Sequence, residues 1–207
     1  KSMIRRTRLE PLEIQPDDKQ MAEQLHASTS PSAALLLMAR PGDGGIRTRE
    51  IAILVADGPE GAFIGKLMTA PVQAGAVPRL VGTRLGTYTA AGGEKLKAES
   101  SMENSPWFLF DALVLSDGLA AVEALAPDGY SMKFAKDQYL HWETILALGA
   151  SQALLAEAGI PMSLPDGSDD PTPILADAGN ADMAATDFIA AVGMHRRLVR
   201  DTDPPRV

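Results

Sequence analysis

Three short runs of uninterrupted apolar residues constrain this chain more than anything else in it. They are Ile51-Ala-Ile-Leu-Val-Ala56, Ala112-Leu-Val-Leu115 and Thr144-Ile-Leu-Ala-Leu148. A strand that meets solvent on one face alternates apolar and polar residues, whereas a strand covered on both faces reads as a continuous apolar run. Between these runs lie stretches with helical spacing. One begins at about Glu60 and places Phe63, Ile64, Leu67, Met68 and Val72 on a stripe, with Pro71 expected to bend or end it. Another covers Phe134–His141, and a last one, about 182–199, carries Ala184, Phe188, Ala191, His195 and Leu198. Arg79–Gly82 reads as a further strand, with short strands around Tyr88 and Leu96, and Gly149-Ala150-Ser151 turns the third buried strand into a helix over 152–158. Strands alternating with helices imply an α/β three-layer sandwich with a mainly parallel sheet. In such a fold the functional crevice opens at the carboxyl ends of the strands.

Residues 1–45 follow a different pattern. Arg5, Arg6 and Arg8 make a charged start, Asp17 can cap a short helix to about Ala27, and Ser28–Ser32 has linker composition. Ala33–Met38 reads as one short apolar strand and Pro41–Gly45 as a turn cluster, so 1–45 is expected to be a connector and 46–207 the folded domain. The chain opens on Lys1, which is the expectation for a fragment or processed product. A net charge of -8 argues against a nucleic-acid partner, because phosphate binding needs Lys and Arg. The longest apolar run, Ala33–Ala39, is far short of a membrane span. There is no Cys, which removes disulfides, thiolate metal sites and thiol nucleophiles together. The compartment is left open, with the cytoplasm favoured.

Several stretches carry a resemblance. Ile51–Ala56 followed by Asp57-Gly58-Pro-Glu60, Phe110–Leu115 followed by Ser-Asp117-Gly118, and Phe134 through Gly149-Ala150-Ser151 to Gly159-Ile160 resemble the class I glutamine amidotransferase-like superfamily, in its PfpI-type protease and deglycase branch. The resemblance covers about residues 46–200 and implies a flavodoxin-like fold. A narrower match runs through Ser30-Pro31, Gly45–Gly58 and Phe188–Arg196, which is similar to the C-terminal domain of large-subunit haem catalases. It implies a parent that dismutes hydrogen peroxide with haem held in another part of the polypeptide. It also implies a homotetrameric parent and a catalase core as this domain's partner. Tyr88, Tyr130 and Tyr139 stand in no matching haem motif, so neither a haem nor any other cofactor is expected in this stretch.

The resemblance also places a site. In the protease and deglycase branch the turn after the third strand holds a nucleophilic Cys followed by His. Here Gly149 stands at the first position and Ala150 at the second, so the elbow Gly149, Ala150, Ser151 is expected to be vestigial. Glu60 matches the acid that pairs with that Cys and, lacking it, reads as a carboxylate at a helix start. Asp117-Gly118 stands where the family has an oxyanion-hole Gly-Gly, and the Asp would oppose developing negative charge.

A rival triad would use Ser151, one of Asp169, Asp170 or Asp177, and His195, in the chain order of an α/β-hydrolase. Against it, Ser151 is expected to cap a helix and His195 to lie near a helix C-terminus. His26, His141 and His195 are too scattered for a metal site, and Asp166, Asp169 and Asp170 lack the spacing of a calcium loop. The flavodoxin-like layout alone does not justify a flavin, since Pro59 stands where a phosphate loop needs backbone donors. The expected function is therefore a non-catalytic auxiliary domain that stabilises a catalase subunit and acts as a holdase towards unfolding client proteins. The alternatives are an active PfpI-type hydrolase or deglycase, and a small-ligand sensor module.

Overall fold

The structure, a computed structural model, describes residues 44–177, 180–196 and 200. Every described residue belongs to one compact unit. The connector helix from Asp17, the apolar strand Ala33–Met38, His26 and Leu198 lie outside the described residues.

Six strands form one parallel sheet: β1 (Glu50–Val55), β2 (Val77–Gly82), β5 (Ser100–Ser101), β6 (Ala112–Leu115), β7 (Thr144–Leu148) and β8 (Pro173–Ala176). Their spatial order is β5-β2-β1-β6-β7-β8. An antiparallel hairpin, β3 (Gly86–Thr89) and β4 (Lys95–Ala98), stands apart from it. The helices are α1 (Gly61–Gln73), α2 (Leu119–Leu125), α3 (Gly129–Leu140), α4 (Ala153–Glu157) and α5 (Ala181–Gly193).

The continuous apolar runs have the predicted cause. Ile51 to Val55 are each no more than 1% exposed, and their side chains alternate between two cores. Ala52 and Leu54 join Leu113, Leu115, Ile145 and Ala147 in a core closed by Leu125, Phe134, Tyr139 and Leu154 from α2, α3 and α4. Ile51, Ile53 and Val55 join Val114, Leu146 and Leu148 in a second core, closed by Ile64 and Leu67 of α1 and by Phe188 and Val192 of α5. Each of the Ile, Leu, Val and Phe side chains contributes about 1.5–3 kcal/mol by leaving water, so both sheet faces need cover. The architecture is an α/β three-layer sandwich of flavodoxin-like type.

The structure differs from the sequence reading at element ends and in two short elements. Helix α3 starts at Gly129, five residues before the expected Phe134. Asp128 accepts hydrogen bonds from the backbone N–H groups of Tyr130 and Ser131 and so caps the earlier turn. Helix α5 stops at Gly193, and His195 lies beyond it with φ 66°. In α1, Val72 points to solvent at 54% exposure, while Pro71 is buried and the helix runs on to Gln73. Proline there removes one hydrogen bond near the helix end, where little helix remains to disrupt. Helix α2 and strand β8 are additional to the sequence reading.

The chain order places the sheet's switch point between β1 and β6. From β1 the chain moves outward to β2 and later returns to β6 on the other side. The carboxyl ends of β1, β6 and β7 therefore border one crevice.

Candidate functional site

A cleft of about 420 Å³ opens at that crevice. Its walls include Glu60 after β1, Asp117 after β6, Leu148 and Gly149 at the end of β7, and Asp177 after β8. Phe63 and Lys66 of α1 and Ala181 of α5 complete it. Sequence reasoning placed Glu60, Asp117 and the Gly149 elbow together, and the fold does bring them together.

The elbow is filled from a neighbouring loop. Gly149 has φ 50°, and a Cβ on it would overlap the carboxylate of Asp117. Asp117 Oδ1 accepts hydrogen bonds from the N–H of Gly118 at 2.7 Å and of Ala150 at 2.8 Å. The space a side chain at 149 needs is thus held by a carboxylate fixed to the backbone on both sides. The Gly118 N–H is also occupied, which withdraws it as an oxyanion donor. Among the described residues three carboxylates line the cleft, and the one cation there, Lys66, pairs with Asp182 at 2.6 Å. Such a lining opposes a developing oxyanion or a bound phosphate. Glu60 is exposed at the N-cap of α1 and makes no side-chain cap bond, while its N–H donates to Asp117 O at 2.9 Å. The Gly58 N–H donates to Thr89 O at 2.8 Å, so this loop's donors are turned away from any phosphate.

Ser151 is fully buried. Its Oγ accepts from the Leu148 N–H at 2.8 Å and lies 2.8 Å from both Leu115 O and Leu148 O, where its proton goes. It staples β6 to the turn after β7. It does not cap α4, which begins only at Ala153 after a 3-10 turn over Gly149–Gln152. His195 sits against Arg49 and Asp111, which precede β1 and β6, at the opposite end of the sheet. Asp170 accepts from Tyr139 Oη at 2.7 Å and lies 3.3 Å from Arg200 Nε. Serine, acid and histidine of the rival triad are not brought together.

Asp166 accepts from the N–H and Oγ of Ser168 in an exposed turn, and those bonds hold its carboxyl below the usual range. His141 stacks on Trp107 with ring centroids 4.2 Å apart. Among the described residues no group of three or more His, Asp or Glu is placed to hold a metal ion. The described residues do not fit a haem either. Tyr88 Oη is engaged by the backbone of Arg84 and Tyr139 Oη by Asp170, and among the described residues no tyrosine or histidine lines the cleft.

Two charged groupings escaped the sequence reading. One is Arg49, Asp111, Glu143, His195 and Arg196 at the amino ends of the strands. The other is the buried set Arg200, Asp170 and Tyr139, in which the guanidinium lies 3.7 Å over the Tyr139 ring and Arg200 Nη1 donates to Tyr139 O at 2.7 Å. Arg49, Asp111 and Glu143 each stand just ahead of an apolar strand, and that placement was the available signal.

No family model matches the chain. Catalase HPII of Pseudomonas putida is 35% identical over 171 residues, covering 82% of this chain and 22% of the relative. Catalase HPII of Mycobacterium avium is 32% identical over 188 residues, covering 87% and 26%. The chain is a homologue of the large-subunit catalases. It spans about a quarter or less of their length, and that part has the flavodoxin-like fold expected of their C-terminal domain. Solved structures agree on the fold. A two-domain protein of Anabaena variabilis with DJ-1/ThiJ/PfpI-like and ferritin-like domains superposes with a TM-score of 0.63 at 17% identity, covering 70% of this chain and 50% of that one. Oxidized DJ-1 of Toxoplasma gondii gives 0.61 at 14% identity, covering 77% and 100%. In this large-subunit catalase homologue, the turn after β7 is a glycine beside a carboxylate.

Proposed function

We propose that the chain is a non-catalytic auxiliary domain of a haem catalase, bracing the subunit and its homotetramer and holding unfolding clients. In this reading the parent dismutes hydrogen peroxide, with the haem in the part of the polypeptide upstream. The observation that carries it is Asp117, whose anchored carboxylate fills the place of the missing nucleophile at Gly149. A domain kept through its α/β core, with its elbow filled, serves through its surface and its stability. The hydrolase or deglycase reading loses its thiol and its oxyanion donor together. The sensor reading rests on the remaining 420 Å³ of cleft, whose carboxylates would favour a small cationic ligand.

Two experiments test the proposal. The parent polypeptide, with and without the domain, is followed by thermal unfolding and peroxide decomposition. A lower melting temperature with unchanged turnover per haem is expected, and unchanged stability would remove the bracing role. Residues 1–207 are then added to an unrelated client during heating. Suppressed aggregation near equimolar ratio is expected, and no protection at several-fold excess would remove the holdase role.

A further inference from the structure

Three loops converge at the amino ends of the strands, opposite the cleft. They are the lead-in to β1, the lead-in to β7 and the segment after α5. Each carries a non-glycine residue with left-handed backbone: Thr48 at φ 68°, Trp142 at φ 64° and His195 at φ 66°. These are the three such residues among the described ones. Conformations of this kind cost on the order of 1 kcal/mol each and persist only where their surroundings hold them.

A charged cluster links residues next to these positions. Arg49 Nη1 donates to Asp111 Oδ1 at 2.7 Å and lies 2.9 Å from His195 Nδ1. Asp111 Oδ2 accepts from the Glu50 N–H at 2.9 Å, and Arg196 Nε lies 3.4 Å from Glu143 Oε1. Gly193 lets the segment after α5 approach the lead-in to β1, because a Cβ there would overlap the Gly44 carbonyl.

A guanidinium only donates, so the Arg49 contact requires His195 Nδ1 to accept and the ring to be neutral. The His195 side chain is 43% exposed, so protons reach it. It is faced by Arg49 from the lead-in to β1, Asp111 from the lead-in to β6 and Arg196 from its own segment. Glu143 meets the group through Arg196, and Glu50 is turned away to Arg79. Burial first, then Arg49 and Arg196, hold the His195 pKa below its ordinary value against the pull of Asp111. Burial pushes Glu143 up to about 8, so near neutral pH it is mostly protonated and offers the cluster little negative charge. A proton on His195 would abolish the acceptor and set a third cation beside Asp111.

We propose that Arg49 and His195 form an acid-opened clasp, which at neutral pH pins the segment after α5 to the lead-in of β1 and on acidification releases both while the sheet stays folded. The stabilisation is fully present above about pH 6.5, the ordinary histidine value, and is lost as pH falls through the lowered folded value.

Hydrogen exchange tests this at pH 7.5 and 5.5, corrected for intrinsic rates, on peptides covering 44–50 and 189–196. In the unsubstituted chain, protection of both peptides should fall severalfold at the lower pH, up to the roughly tenfold that one histidine can supply, with 51–56 unchanged. His195→Gln keeps an oxygen that accepts from Arg49 but does not titrate, and should stay protected at both values. Equal protection at both values in the unsubstituted chain would overturn the clasp, as would a fall in His195→Gln as large as in the parent sequence. A response abolished by Glu143→Gln, or one that spreads to 51–56, would overturn it too. An NMR titration of His195 needs no variant, and a pKa above 6.5 would also overturn it.

Discussion

Replacing Gly149 with alanine forces a choice between the new methyl group and the Asp117 carboxylate, since a Cβ at 149 overlaps that group. Two costs arise. A non-glycine residue at φ 50° costs about 1–2 kcal/mol. Swinging Asp117 away breaks its bonds from the Gly118 and Ala150 N–H groups. Hydrogen bonds to a charged group are worth about 1.5–3 kcal/mol each, and partial rehydration at this half-buried site leaves roughly one of them as net loss. Gly149→Ala should therefore destabilise the domain by about 3–5 kcal/mol, or lower its melting temperature by about 10 °C. Asp117→Gly alone should cost about 1–2 kcal/mol, because the Ala150 N–H loses its partner. Once the carboxylate is gone, the methyl group has room. The double variant should then cost less than the sum of the two single ones by at least 1.5 kcal/mol, a coupling of the size expected for groups in contact. Urea unfolding of the four proteins measures the cycle. Additive costs, or a loss below about 1 kcal/mol for Gly149→Ala, would show that Asp117 does not occupy the elbow.

Three further expectations concern buried polar groups. Glu143, with its pKa raised to about 8, costs the folded state progressively more stability as pH rises from about 4.5 to 8, because the unfolded chain has released a proton that folding must take up again. Glu143→Gln should flatten that slope and stabilise the protein at pH 9 by a few kcal/mol, read as a higher urea midpoint at pH 9 but not at pH 5. Arg200→Ala leaves Asp170 buried beside Tyr139 without its cation and should cost about 3–5 kcal/mol in thermal or urea unfolding, whereas Tyr139→Phe should cost about 1–2 kcal/mol. Ser151→Ala should lose about 1–3 kcal/mol of stability and leave background hydrolysis of an activated ester unchanged, because its hydroxyl staples β6 to β7; a fall in hydrolysis would restore the triad reading.

What the sequence determined by itself is local. Continuous apolar runs at 51–56, 112–115 and 144–148 can be satisfied only by cover on both faces, so they dictated buried parallel strands and the three-layer architecture. The absence of any cysteine needed no coordinates, because the side chain itself carries the chemistry. Strand β8 was hidden because its four residues edge the sheet, and Leu175 faces solvent there at 40% exposure, so it lacks the burial that makes an unmistakable run. Helix α2 was hidden by its seven-residue length, too short for a periodic stripe to stand out. Only the tertiary structure decided what fills the elbow, since Asp117 and Gly149 meet solely because β6 and β7 lie side by side in register. The same holds for Arg49, Asp111 and His195, carried by three segments far apart in the chain. Periodicity reports which face of an element is apolar. Which charge meets which is settled by strand order and register, through contacts whose strength depends on distances of a few ångströms and on how much water is excluded.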